Sequence, residues 1–169
     1  MKQHKMDSAI LYFNKVIVLN PKYPKAHAYR GIAKFGIGND SGAVDDLNKA
    51  IELNPNDNSS YSSRSSIKSK MSDFRGAIDD ITKAIEIDPT IADYYNKRGL
   101  SEFSILNYIN AIKDFTKVIE LKPDNANAYN NRGTCKFKIK DKDGACIDWK
   151  KAFELGEAKT KAFIEKYCD

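Results

Sequence analysis

Few side chains in this 169-residue chain have the types and spacing for chemistry. Of its two histidines, His4 lies in a start expected to fray. His27 occupies a position that returns as Tyr61, Tyr95 and Tyr129, so it reads as packing and not as a base. The cysteines Cys135, Cys146 and Cys168 fall near one end, short of the four ligands and paired spacing of structural zinc, so no metal is expected. Cys135 and Cys146 mirror each other about Lys140-Asp141, and Cys146 and Cys168 about Glu157. Two states stay open: three buried reduced thiols, which fit a cytoplasmic location, or a Cys146–Cys168 bridge, which implies an oxidising, extracytoplasmic one. Gly36-Ile37-Gly38 follows no strand and has no nucleotide-binding context. The pairs Asp45-Asp46 and Asp79-Asp80 recur with a period, which marks them as scaffold rather than as an acid and a base. No catalytic residue and no cofactor is expected, and the chain reads as a non-enzyme.

Composition allows a core: 41% of positions are hydrophobic and 30% charged. No window approaches eighteen apolar residues, and the amino terminus runs into an amphipathic segment, so neither a membrane span nor a leader is expected. The net charge of +5 comes from Lys and Arg interleaved with acids along the whole length. That argues against nucleic acid, which would call for basic and stacking residues along one face.

The elements that must position any site follow from an internal period. Pro21, Pro55, Pro89 and Pro123 are each 34 residues apart. The same spacing aligns Ala9, Ala43, Ala77, Ala111 and Ala145. It also aligns Phe13, Leu47, Ile81, Phe115 and Trp149, then Gly31, Ser65, Gly99 and Gly133, and Arg30, Arg64, Arg98 and Arg132. Apolar residues returning every three or four positions predict two helices per period, for example 27–36 and 41–53, joined by Gly38-Asn39-Asp40. Each proline ends a pair, because it cannot continue a helix and forces the preceding residue to extend. Small residues let the paired backbones approach, and stacking covers the face that one hairpin leaves bare. The expected fold is all-α, a solenoid of antiparallel helix hairpins.

These columns resemble the tetratricopeptide repeat family: Tyr95, Gly99, Ala111, Phe115 and Pro123 match its pattern in one period, and Tyr129, Gly133, Ala145 and Trp149 in the next. The resemblance implies a right-handed superhelical solenoid. It gives one domain over 1–169, with a partial repeat at 1–23, repeats at 24–57, 58–91, 92–125 and 126–159, and a capping helix at 160–169. Residues 1–20 supply a second helix with Ala9, Phe13, Val16 and Ile17 in core columns and almost none of its first helix. This leaves an apolar face that belongs either to a fragment of a longer repeat protein or to a homodimer contact.

The arginine column departs from the family's usual leucine. In antiparallel helices, residues equidistant from a loop share a height. Reflection about the prolines proposes a structural ladder between hairpins: Asp46 with Arg64, Asp80 with Arg98, Asp114 with Arg132, and Asp148 with Lys166 across Glu157.

By resemblance, a protein or peptide partner would lie in a concave groove lined by the first helices. Its candidate residues are Ala28, Tyr29, Ile32 and Phe35; Ser62, Ser66, Ser69 and Lys70; Asn96, Lys97, Leu100 and Phe103; and Asn130, Asn131, Thr134, Phe137 and Lys138. Asn offers donor and acceptor to a peptide backbone. With Ala28, Ser62 and Asn96 in the stripe, the family's two-carboxylate clamp for chaperone tails is not reproduced. The expected function is a non-catalytic protein-interaction scaffold. The alternatives are a self-assembling module and, behind it, an RNA-binding helical repeat.

Overall fold

Each period becomes two helices, and the residues at their ends explain where they stop. The computed structural model describes residues 2–168, with side chains from residue 4. The helices are α1 (Lys2–Leu19), α2 (Pro24–Gly36), α3 (Asp40–Leu53), α4 (Asn58–Lys70), α5 (Phe74–Ile87), α6 (Ala92–Ser104), α7 (Tyr108–Leu121), α8 (Ala126–Lys138), α9 (Lys142–Glu154) and α10 (Thr160–Tyr167). Helix α2 starts three residues before the sequence expectation, at Pro24, whose missing N–H would have no helical acceptor in a first turn. The chain divides into two compact units, Met1–Asp88 and Pro89–Asp169. The first holds α1 and the hairpins α2–α3 and α4–α5. The second holds α6–α7, α8–α9 and α10.

Every hairpin turn contains one residue of positive φ: Gly38 at 82°, Ser72 at 64°, Leu106 at 63° and Lys140 at 69°. The next residue returns its N–H to the carbonyl five positions earlier, as from Asn39 to Lys34 at 2.9 Å and from Asn107 to Glu102 at 2.9 Å, which closes the first helix. Asn39, Asp73 and Asp141 then cap the second helices, each accepting the N–H of the glycine three residues on. Helices α3, α5 and α7 give way to extended Asn54, Asp88 and Lys122, the conformation a following proline requires. Glu157 fills the proline slot that follows Pro123, and there the chain turns through Gly156 at φ 98° instead.

Within a hairpin the backbones meet at the small-residue column. A Cβ on Gly31 would stand 3.0 Å from the Ala43 carbonyl oxygen, and one on Gly133 would stand 2.9 Å from Cδ1 of Trp149. Ser65 holds the same position in α4, where its buried hydroxyl donates to the Ala77 carbonyl at 2.8 Å. The serine-rich helix thus keeps the close approach by bonding to the carbonyl that the glycines merely avoid.

The arginine column pairs inside each hairpin, not across the prolines. Arg30 Nε donates to Asp46 at 2.8 Å, Arg64 Nε to Asp80 at 2.8 Å, and Arg132 Nε to Asp148 at 2.9 Å, with Nη2 on the other carboxylate oxygen each time. Arg98 engages Asp114 in the same way. The aspartate side chains are only 2 to 6% exposed. The expected partnerships of Asp46 with Arg64, Asp80 with Arg98, Asp114 with Arg132 and Asp148 with Lys166 are therefore replaced, and Lys166 lies over the Tyr167 ring instead. Reflection gave heights correctly but was centred on one of two possible loops. Asp46 is nine residues from Pro55 and also eight from Gly38, as is Arg30. Rotation decides between them, since Asp46 shares a face with Ala43, Leu47 and Ala50, all buried in the hairpin. A link to the preceding hairpin survives through Nη1, which reaches Asn14 from Arg30, Asn48 from Arg64 and Thr116 from Arg132. The tyrosine column lies beneath, with Arg64 over Tyr61 and Arg132 over Tyr129 at 5.7 and 5.4 Å.

At the carboxyl end, α10 packs on α9 and α8 through Phe163 against Trp149 (5.2 Å) and Tyr167 against Phe137 (4.6 Å). The sulfurs of Cys146 and Cys168 are bonded at 2.10 Å, which selects the bridged state of the two left open and staples α10 to α9. Cys135 stays a buried free thiol. On α1, the core-column residues Ala9, Phe13, Val16 and Ile17 are half-buried, and the bare apolar surface is instead Leu11, Tyr12, Val18 and Leu19, 62 to 86% exposed. Among the described residues, no helix is long and apolar enough to cross a membrane.

Three outcomes are expected. In double-mutant cycles read by denaturant unfolding, Arg30→Met and Asp46→Asn each cost about 3 kcal/mol and couple by about 2 kcal/mol, whereas Asp46→Asn and Arg64→Met add to within about 0.5 kcal/mol. Gly133→Ala lowers stability by about 1 to 3 kcal/mol, because the new methyl displaces the buried Trp149 indole. Alkylation in denaturant without reductant, read by mass spectrometry, labels one thiol, that of Cys135, and labels all three after reduction.

Candidate partner-binding groove

The groove stripe repeats along the first helices, but the two units use it differently. In the first unit Ala28 and Ser62 are buried, so they form its floor and offer a partner nothing. Tyr29 and Ile32 are 51 and 44% exposed, and Tyr29 stacks on Phe13 at 5.5 Å. Ser66 turns its hydroxyl back to the Ser62 carbonyl. Lys70 is not free to receive an acidic group: its ammonium pairs with Asp40 at 2.8 Å and lies over the Phe35 ring at 4.8 Å. Phe35 also packs against the core of Ala43, Leu47 and Ile67, so it joins the hairpins more than it faces outward.

In the second unit the stripe opens. Leu100 and Phe103 from α6, and Asn131 and Thr134 from α8, line a cleft of about 100 Å³ with Phe115 of α7 at its base. Leu100 is 45% exposed. The Thr134 hydroxyl is spent on the Asn130 carbonyl, which leaves its methyl to the cleft wall. Asn131 brings an amide to an otherwise apolar lining. Asn96 is half-buried, Lys97 pairs with Asp93 at 3.0 Å, and Lys138 is exposed. Phe137 leaves the stripe to pack against Trp149 and Tyr167.

Phe115 is the residue that the groove stripe missed, because its column reads as core. The signal was Gly99: a Cβ there would stand 3.0 Å from Cε1 and Cζ of Phe115, so the glycine lets the ring pass close under α6 toward the cleft.

The remaining reactive groups are placed for structure. His27 is buried, and its Nε2 lies 2.9 Å from the Pro21 carbonyl, which can only accept; the proton is therefore on Nε2. Tyr95 makes the equivalent bond to the Pro89 carbonyl at 3.1 Å, so this column ties each first helix to the loop before it. Burial pushes the Cys135 thiol up to about 12, leaving it protonated at neutral pH and a poor nucleophile. Among the described residues no three His, Cys, Asp or Glu gather as metal ligands.

Comparison with known proteins agrees with this geometry. A tetratricopeptide repeat model matches residues 59–91 and 92–125. No curated protein sequence matches the chain. Among solved structures, MamA superposes with a TM-score of 0.86 at 29% identity, covering 92% of this chain and 91% of that one. YrrB, described as a TPR protein with an unusual peptide-binding site, gives 0.86 at 16% identity over 96% of this chain and 84% of its own. The first TPR of Spaghetti, solved with the HSP90 peptide SRMEEVD, gives 0.66 at 23% identity over 69% of this chain and 92% of its own. The last two show the fold alone. A 34-residue period of paired helices runs through this chain, and its central hairpins, at 59–91 and 92–125, match the tetratricopeptide repeat.

Proposed function

We propose that the chain is a non-catalytic scaffold that binds an extended peptide segment of a protein partner across the α6 and α8 face. The cleft of Leu100, Phe103, Phe115, Asn131 and Thr134 carries this reading. It has the size of a socket for one aliphatic side chain, and Asn131 at its wall offers a donor and an acceptor to a peptide backbone. The peptide-bound Spaghetti domain and the peptide site described for YrrB support binding of this kind on the same fold. The acidic chaperone tail is not the expected ligand. Ala28 and Ser62 are buried and Lys70 is already paired with Asp40, so the stripe does not gather the cations that two carboxylates need.

A second reading, self-assembly, rests on the exposed Leu11, Tyr12, Val18 and Leu19 of α1. It would be seen as a concentration-dependent mass near twice 19.1 kDa.

Selection from a random peptide library on the wild-type chain is expected to yield ligands with an aliphatic anchor. Leu100→Asp weakens them by at least about tenfold and Asn131→Ala by about threefold, with thermal unfolding unchanged within a few degrees. Ligands that bind both variants as tightly as the wild type would place recognition elsewhere.

A further inference from the structure

The lysine one turn after each arginine has a constant task, and one hairpin lacks it. Lys34, Lys68 and Lys136 each place Nζ 2.9 Å from the second oxygen of the buried aspartate, Asp46, Asp80 and Asp148 respectively. In the first two hairpins the same ammonium also approaches a carbonyl at the start of the second helix, Gly42 at 3.4 Å and Gly76 at 3.5 Å. These lysine side chains are 21 to 23% exposed, so the ammonium spot lies at the rim of the hairpin and opens to solvent.

In α6 this column holds Glu102, a reversal of charge. Glu102 is 7% exposed, and its Oε2 is buried with no hydrogen-bond partner. Asp114, which by register stands to Glu102 as Asp46, Asp80 and Asp148 stand to the three lysines, keeps the contacts from Arg98, at 2.8 to 3.2 Å. Where three hairpins set Arg and Lys against one Asp, this one sets a single Arg against Asp and Glu. The formal balance changes from about +1 to about −1. Burial pushes the Asp46 carboxyl up, but Arg30 and Lys34 outweigh it and hold the group below its ordinary value. Burial likewise pushes Asp114 up, and Arg98 with the more remote Lys113 does not outweigh it, so Asp114 ends above. The nearby ammonium groups do not fill the vacancy: Lys113 turns to Asn110, and Lys97 pairs with Asp93.

We propose that the corner formed by Glu102 and Asp114 binds the ammonium of a lysine side chain presented by a partner protein. The ligand class follows from the chain itself, which puts a lysine ammonium at this corner in its other three hairpins. A divalent ion is disfavoured because two carboxylates, one already held by a guanidinium, fall short of a cation's ligand set. A buried carboxylate oxygen without a partner is costly, and an incoming ammonium satisfies Glu102 Oε2 while adding a second cation beside the Arg98-paired Asp114. Glu102 lies about 160° around α6 from Leu100 and about 100° from Phe103, and neither it nor Asp114 lines the peptide cleft.

The test uses hexalysine as the probe, with its fully Nε-acetylated form as the neutral control, in calorimetric titration at low salt. The wild type is expected to bind hexalysine and not the acetylated form. Glu102→Gln, which keeps shape and removes charge, weakens binding at least tenfold, as does Glu102→Lys, which supplies the ammonium from within. Glu165→Lys makes the same charge change as the latter at an exposed position and stays within twofold of wild type. Thermal melts verify folding of each variant, and Glu102→Gln alone suffices if Glu102→Lys does not fold. Equal binding by wild type and Glu102→Gln, or no binding by wild type, overturns the proposal.

Discussion

A carboxylate buried between two helices constrains everything built around it. Asp46, Asp80, Asp114 and Asp148 lie in the interior of their hairpins, where a charge is tolerated only when paired and hydrogen-bonded. The planar fork of an arginine sixteen residues earlier satisfies both oxygens at once, which fixes the height and the rotation of the first helix against the second. The third donor of that arginine reaches the preceding hairpin within each unit, so one side chain sets two interfaces. Leucine, usual in the family at this column, would fill space without specifying an angle. The small-residue column then becomes a requirement, because the fork spans the gap only if the backbones come close.

The hairpins are variants on this constraint, and their differences carry the functional content. In α4 the glycine becomes Ser65, and a hydrogen bond to the Ala77 carbonyl replaces mere closeness. In α6 the glycine stays, and Phe115 lies close beneath it at the base of the cleft. The same helix replaces the accessory lysine by Glu102 and leaves its carboxylate oxygen unmatched. Helix α6 therefore departs from the shared design on two faces: one toward the cleft, the other toward the Asp114 corner. A hairpin specialised only for stability would have kept the lysine.

The ends show how packing is completed by different means. Helix α10 takes the place of a first helix against α9, held by Phe163, Tyr167 and the Cys146–Cys168 bond. Helix α1 is a second helix packed on α2, and its outer apolar residues remain exposed. The groove candidates divide accordingly. Lys70, Phe35 and Phe137 are drawn into contacts between neighbouring elements, whereas Leu100, Phe103, Asn131 and Thr134 converge on one cleft.

The helices, their turns, the proline breaks and the close-approach column were legible in the sequence, because each depends on residues near in the chain or on a period that repeats them. The heights of Asp46 and Arg30 were legible too, since helical rise per residue is constant. Which arginine the aspartate binds was not, because reflection about Gly38 and about Pro55 satisfies the height equally well and only the rotation of α3 separates them. The column of Lys34, Lys68, Glu102 and Lys136 was visible as letters. Its meaning required seeing a lysine ammonium on a buried carboxylate in three hairpins and an unmatched oxygen in the fourth. The bond between Cys146 and Cys168 was likewise one of two open states, decided by how α10 docks on α9. Local chemistry and periodicity set the repeat, while rotation and docking, which depend on packing between distant segments, set the partners.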